Sequence, residues 1–486
     1  MSRDDRATSR LVDHRTATVA AERLGERLGA WARGDGALAG RLAEAIARLV
    51  ATGELRAGDR LPSERALATV VAVSRGTVVA AYSLLAEREL VERRQGSGTR
   101  VAGVPAPVVD GRRRAQGERL FTAAPSAIDL LRAVPRIPDG AVRIVRGHVP
   151  QVDPVALAET DPAGLSMLRE RIAALMTAEG TPTTREQVLV THGGQQALSL
   201  LVDELVSPGD VVLTEAVTWP GIADPVRRRG ARVQGIGMNG DGIDVDELEA
   251  AMATLRPALV ALNPHNHNPT GGSASAPVRL RVAELAAQYG IPVVEDRVLA
   301  HASFDGPAPP SLAGLRPDAP ILVVESVSKW SWSGLRVGWL RADPVLVRRL
   351  RTLRQSVDQT TSIPAQLLAL DLIERAPALR REVVDTHRAA CRTATAAIGE
   401  HLPGWSFVPP RGGFSVWARM PAGSADAFIR TAARHGVAVA GGREFMASEA
   451  ADDHVRVPYT APEETLREGI ARLGAAWRDY AAHLVR

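Results

Sequence analysis

Five short apolar runs, at 188–191, 211–214, 259–262, 291–294 and 321–324, recur through the larger, C-terminal part of this chain, separated by stretches of helical period. Strands buried on both faces read as continuous apolar runs, and parallel neighbours need a crossover helix between them. The pattern therefore predicts an α/β domain around a mostly parallel sheet. A chain of 486 residues, 45% of them hydrophobic, has enough material for that domain and at least one more.

The N-terminal part is patterned differently. Residues 1–37 are polar and glycine-punctuated, an arm with a short helix around 20–31. From Leu38, the positions Leu42, Ile46, Leu49 and Val50 follow helical spacing until Gly53. Pro62-Ser63 opens a second helix to about 71 with Ser63 as N-cap, and Ser74 caps a third through Val78, Val79, Tyr82, Leu84 and Leu85. Residues 90–94 and 99–101 read as short strands joined by Gln95-Gly96-Ser97-Gly98. Three helices and a two-stranded wing predict a winged helix-turn-helix over 38–103. Residues 104–127, rich in Pro, Gly, Ala and Arg, read as a linker, and 128–486 as the α/β domain.

Charge and cysteine usage narrow the function. The formal net charge is only +4, but between Leu38 and Gly103 ten arginines face seven acidic residues, and Arg112-Arg113-Arg114 follows. That surplus permits contact with nucleic acid. The single cysteine, Cys391, allows no intrachain disulfide and no zinc cluster, so no metal is expected. A charged opening and the lack of a long apolar stretch predict a cytoplasmic protein with no membrane contact.

Lys329 is the only lysine in the chain. Arginine replaces lysine where only charge is wanted, but it cannot replace a primary amine that condenses with an aldehyde. Lys329 follows the run 321–324 within Ser326-Val327-Ser328-Lys329-Trp330, and Arg336 stands seven residues on. A permanently charged guanidinium there suits a phosphate. Lys329 is accordingly a candidate for covalent catalysis.

The blocks Leu61-Pro62-Ser63-Glu64-Arg65, Val73-Ser74-Arg75-Gly76-Thr77 and the Gln-Gly-Ser-Gly-Thr wing resemble, in order and spacing, the winged helix of GntR-type transcription regulators. The resemblance implies binding of double-stranded DNA through Ser63, Arg65, Ser74, Arg75 and Thr77, with Gly96 and Gly98 letting the wing approach the backbone. Taken alone, Arg65 or Arg75 is equally well a solvated helix residue.

The C-terminal part resembles class I/II aminotransferases of fold type I, which use pyridoxal 5'-phosphate (PLP). Thr191-His192-Gly193-Gly194-Gln195 resembles the phosphate turn, implying phosphate binding at Gly194 and Gln195. Glu215-Ala216-Val217-Thr218-Trp219-Pro220-Gly221 resembles the ring-stacking loop, with Trp219 in place of a tyrosine and an ordinary core aromatic as the alternative. Asn268, in Asn268-Pro269-Thr270-Gly271, matches the donor to the phenolic oxygen. Asp296 matches the partner of the pyridine nitrogen, and Lys329 the Schiff-base lysine. Ser326, Ser328 and Arg336 stand as further phosphate partners and Arg456 as the carboxylate-binding arginine. Leu299 departs from the pattern, because relatives often have a tyrosine there.

A GntR-type winged helix fused to an aminotransferase-like domain is the arrangement of MocR-type regulators. The resemblance implies a homodimer reading two half-sites of an operator and sensing a small amino compound by aldimine exchange at Lys329. Two alternatives stand beside it. One is a working aminotransferase with a secondary DNA-binding domain, the other a PLP sensor controlling vitamin B6 synthesis.

Overall fold

The computed structural model describes residues 21–28, 31–32, 37–51, 55, 59–87, 90–94, 98–101, 120, 123–124, 126–148, 160–447 and 453–484. The chain divides into two compact units, Met1–Arg113 and Arg114–Arg486.

In the first unit, helices Ala21–Leu28, Leu38–Ala51, Glu64–Val70 and Arg75–Glu87 precede β1 (Val91–Arg94) and β2 (Gly98–Val101). The two strands pair antiparallel, with Val91 opposite Val101. The apolar stripe of the second helix, Leu42, Ile46 and Leu49, buries against Leu67, Val78, Tyr82 and Leu85. Both predicted caps form. Ser63 Oγ accepts from the Ala66 N–H at 3.2 Å, and Ser74 Oγ accepts from the Thr77 N–H at 3.1 Å. The buried Tyr82 hydroxyl donates to the Pro62 carbonyl at 3.0 Å and ties the helix Arg75–Glu87 to the start of the helix Glu64–Val70. Tyr82→Phe removes that donor and is expected to cost about 1 kcal/mol, read from the urea midpoint of this unit's transition. Gly96 and Arg112 to Arg114 lie outside the described residues, as does the arm up to residue 20.

The second unit holds β3 (Ile128–Leu130), β4 (Val188–Thr191), β5 (Val211–Glu215), β6 (Arg232–Ile236), β7 (Met238–Asn239), β8 (Gly242–Ile243), β9 (Leu259–Leu262), β10 (Val293–Asp296), β11 (Ile321–Ser326), β12 (Gly338–Arg341), β13 (Ser415–Arg419), β14 (Val437–Gly441) and β15 (His454–Pro458). Seven strands form a sheet in the order β4-β12-β11-β10-β9-β5-β6. It is parallel except for β12, which runs against both neighbours. A second sheet, β13-β15-β14-β3, makes the smaller lobe. The fold is thus α/β in the large lobe and α+β in the small one, as expected. Among the described residues no single helix is long and apolar enough to cross a membrane.

Two details differ from the sequence reading. The run at 291–294 is displaced, since the strand is Val293–Asp296. Pro292 has no N–H to donate and stands ahead of the first paired residue, so the charged pair Glu295-Asp296 falls inside the strand. Strands β6 and β12 also go unmarked, because Arg232–Ile236 alternates polar with apolar residues at the sheet's edge and Gly338–Arg341 joins as an antiparallel insertion.

Candidate active site

The residues singled out from the sequence converge at the carboxyl ends of the parallel strands, where open α/β sheets bind ligands. The turn after β4 leads into the helix Gly194–Leu205, and Asn268 lies in the loop after β9. Asp296 ends β10, and β11 runs into a short turn, Val327–Lys329.

Lys329 Nζ donates to the Ala133 carbonyl at 3.0 Å and lies 6.0 Å from the centre of the Phe414 ring. Ala133, Asn266, His267, Asn268, Leu299 and Phe414 enclose it. Burial lowers its pKa to about 8; the Arg456 and Arg336 charges act in the same direction and Asp296 against them. Asp296 moves the other way, to about 6, because burial disfavours its charge more than the Val298 N–H and Lys329 favour it. The Val298 N–H donates to Asp296 Oδ1 at 2.9 Å. Behind it Asn263 Nδ2 donates to the Asp296 carbonyl at 3.3 Å, while Asn263 Oδ1 accepts from the Asn268 N–H at 3.3 Å.

Arg456, on β15, is 1% exposed. Its Nη1 donates to Asn268 Oδ1 at 3.2 Å, its Nη2 donates to the Leu131 carbonyl, and its guanidinium stacks 4.6 Å from the Phe445 ring centre. Its Nε is buried with no hydrogen-bond partner. Burial lowers its pKa to about 9.

The phosphate candidates gather around the turn after β4. Gly193 has φ of +76°, and a Cβ there would stand 2.9 Å from Arg336 Nη2. Arg336, itself left-handed at φ 57°, donates from Nη2 to the His192 carbonyl at 3.0 Å. The helix beginning at Gly194 directs its first unpaired amides outward beside that guanidinium. Ser326 Oγ accepts from the Ser328 N–H at 3.0 Å and sits 2.7 Å from Ser328 Oγ, so Ser326 holds the turn that presents Ser328 and Lys329. Gln195 Nε2 donates to the Gly221 carbonyl at 2.7 Å, tying this turn to the loop of Trp219. Trp219 itself packs on Leu120, Leu131, Ala440 and Phe445 and is not among the residues that line the Lys329 pocket. Arg65 and Arg75, with Ser63 and Ser74, are exposed on the other unit.

Sequence reasoning missed several residues here. Asn266 has a left-handed backbone, and its Nδ2 donates to the Leu299 carbonyl at 2.8 Å. Ala133 and Phe414 close the pocket from distant parts of the chain. Next to the site, Arg297 Nε donates to Glu325 Oε1 at 2.8 Å, and His265 Nε2 lies 3.0 Å from Glu295 Oε1. Glu179, His301 and Glu325 bring ligand atoms within 4.8 Å of one another, but Arg380 already pairs with Glu179 and Arg297 with Glu325. Only the three consecutive charged residues Glu295-Asp296-Arg297, at the end of an apolar run, mark this network in the sequence.

A primary amine, a carboxylate facing it, an anion-binding helix start and a buried guanidinium with an unpaired Nε form a donor set that fits PLP. Comparison with known proteins agrees. The model of the aminotransferase class I and II family matches residues 156–473, and that of the bacterial regulatory proteins of the gntR family matches 38–101. The chain is 31% identical to 2-aminoadipate transaminase of Thermus thermophilus over 71% of this chain and 86% of that one. It is 28% identical to YjiR, an uncharacterized HTH-type transcriptional regulator of Escherichia coli, over 90% of this chain and 97% of the other. The crystal structure of LysN, the α-aminoadipate aminotransferase of T. thermophilus complexed with N-(5'-phosphopyridoxyl)-L-leucine, superposes with a TM-score of 0.68 at 28% identity, covering 76% of this chain and 97% of that one. The chain therefore belongs to the class I and II aminotransferase family, uses PLP as its cofactor, and carries a gntR-family helix-turn-helix module in the arrangement of MocR-type regulators.

Proposed function

We propose that the chain is a transcription regulator that binds double-stranded DNA through its N-terminal unit and alters that binding when a small amino compound engages the Lys329 pocket. The observation that carries this reading is the convergence of Asp296 and Arg456 on Lys329, near enough for their charges to act on its amine, in a chain that also has a capped recognition-type helix.

When bound, PLP supplies an aldehyde that amines capture and a ring that withdraws electrons. Lys329, with its pKa near 8, holds about a tenth of its amine unprotonated at pH 7, far more than an ordinary lysine, and serves as the nucleophile. Asp296 would hold a proton at the ring nitrogen and Asn268 would donate to the phenolic oxygen, whereas Trp219 packs on Leu131, Ala440 and Phe445 and reads here as the core aromatic. Gly194, Gln195, Ser328 and Arg336 would take the phosphate, with Ser326 holding the turn that presents Ser328. Arg456 takes the effector's carboxylate, and to do so it exchanges Asn268 Oδ1 and the Leu131 carbonyl for it. Leu131 directly follows β3, the first strand after residues 102–127, which lead in sequence from the wing. A ligand that releases Leu131 therefore favours a different placement of β3, and it regulates only by the difference in its affinity for the two placements.

On the DNA side, Ser74, Arg75 and Thr77 open the helix Arg75–Glu87, a position suited to phosphates and base edges in a major groove. Ser63 and Arg65 start the helix before it, and Gly98, at φ +83°, begins the returning strand of the wing. A homodimer presents two such heads to two half-sites. In binding assays with the intergenic DNA beside its own gene, Arg75→Ala is expected to weaken affinity about tenfold or more, with cofactor absorbance unchanged. Equal binding by mutant and wild type sinks the recognition-helix role.

A second reading, a working aminotransferase, is favoured by the 31% identity to a transaminase. Leu299 separates the two. It is 7% exposed and packs with Ala302, Val383 and Phe414, so it brings an apolar wall instead of a hydroxyl. The regulator reading expects amines to shift the cofactor spectrum and the DNA affinity without sustained turnover. Rapid multiple turnover with common amino acids, at unchanged DNA affinity, overturns it.

A further inference from the structure

The turn between β4 and the helix Gly194–Leu205 is held from outside by a residue that none of the motifs contains. Asp358 follows the helix Pro344–Val357, at an end where the helix dipole disfavours an anion. Its carboxylate is nevertheless kept below the usual range: burial works against its charge, and hydrogen bonds from Arg354 and Gln196 more than offset it.

The contacts are specific. Asp358 Oδ1 accepts from Arg354 Nε at 2.9 Å, and Oδ2 accepts from Arg354 Nη2 at 2.8 Å and from Gln196 Nε2 at 2.5 Å. His192 Nε2 lies 3.1 Å from the same Oδ2. Arg354 is fully buried; its Nη1 donates to the Pro162 carbonyl at 2.9 Å and to the Val190 carbonyl near the end of β4. This anchors the carboxylate to the sheet.

Gln196 is the third residue of its helix. Because Asp358 engages its amide nitrogen, its Oε1 is turned back to accept from the His192 N–H at 2.8 Å, a variant of the capping box. The Gly193 N–H is used by the Thr191 carbonyl at 2.9 Å, and Thr191 Oγ1 donates to the Gly193 carbonyl at 3.1 Å. The amides of Gly194, Gln195 and Gln196 are left without an intrahelical acceptor, and Gly194 and Gln195 stand at the very start of the helix.

We propose that Asp358 is a positioning residue of the cofactor's phosphate site, aiming the Gly194 and Gln195 amides through Gln196 and His192. This rests on the reading of those two amides as phosphate donors. The test compares two ligands on apoprotein, PLP and pyridoxal, which has the same ring and aldehyde but no phosphate. In Asp358→Ala the dissociation constant for PLP is expected to rise about tenfold or more, with that for pyridoxal unchanged within about twofold. Gln196→Ala, which leaves the Arg354–Asp358 pair in place, should give the same phosphate-specific loss and serves if Asp358→Ala does not fold. Equal loss for both ligands makes Asp358 merely structural and overturns the proposal, as does undiminished PLP affinity in both variants. If the wild type itself binds pyridoxal as tightly as PLP, the phosphate assignment of Gly194 and Gln195 fails first.

Discussion

Lys329→Ala is expected to abolish cofactor attachment in the pocket, leaving no other lysine side chain to take over. Borohydride reduction of wild-type protein loaded with PLP should place one phosphopyridoxyl group on the peptide containing Lys329, and the variant should carry none. The expectation is sharp because the chain holds no other lysine and arginine does not serve as a nucleophilic amine at neutral pH. A stoichiometric adduct that persists in the variant, with the wild type's absorbance, refutes the assignment. The pH dependence has a definite sign. Burial and two guanidiniums hold the amine near pKa 8, so the rate of attachment should rise about tenfold per pH unit below that value and flatten above it, since only the unprotonated amine attacks. A lysine in open solvent would still be gaining at about pH 10.

Arg456→Ala should cost an effector that carries both an amine and a carboxylate about a hundredfold or more in apparent affinity, because a buried guanidinium–carboxylate pair is worth several kcal/mol to binding. The same variant should bind PLP normally, and an amine without a carboxylate should lose nothing. Titrations of cofactor absorbance and of DNA binding report the two effects separately. Removing Arg456 also removes a positive charge that depresses Lys329, so the pH midpoint of attachment should move upward from about 8. An unchanged effector affinity together with an unchanged midpoint shows that Arg456 does not face the pocket.

Much of this molecule was legible without coordinates, and the reason is locality. Helix caps at Ser63 and Ser74 depend on residues three positions away. The strands β4, β9 and β11 are apolar over most of their length because both faces are covered, which leaves an unbroken run in the sequence. The glycine turn before Gly194 and the Asn-Pro-Thr-Gly block are contiguous, so their chemistry reads directly. The sheet order, the antiparallel insertion of β12 and the pairing of β3 with β14 had no such signature, since each is a choice among distant partners. Tertiary structure also decided which groups share a pocket. Ala133, 196 positions from Lys329, receives its ammonium hydrogen, and Leu131, 325 positions from Arg456, occupies its guanidinium. Asp358 looks in sequence like any acidic residue after a helix; it reaches the turn at His192 only because Arg354 pins that helix end to β4. Composition and short-range pattern determined the elements and the reactive groups, whereas burial and long-range contact decided their protonation and aim. Desolvation and hydrogen-bond direction exist only once distant segments have closed around a side chain.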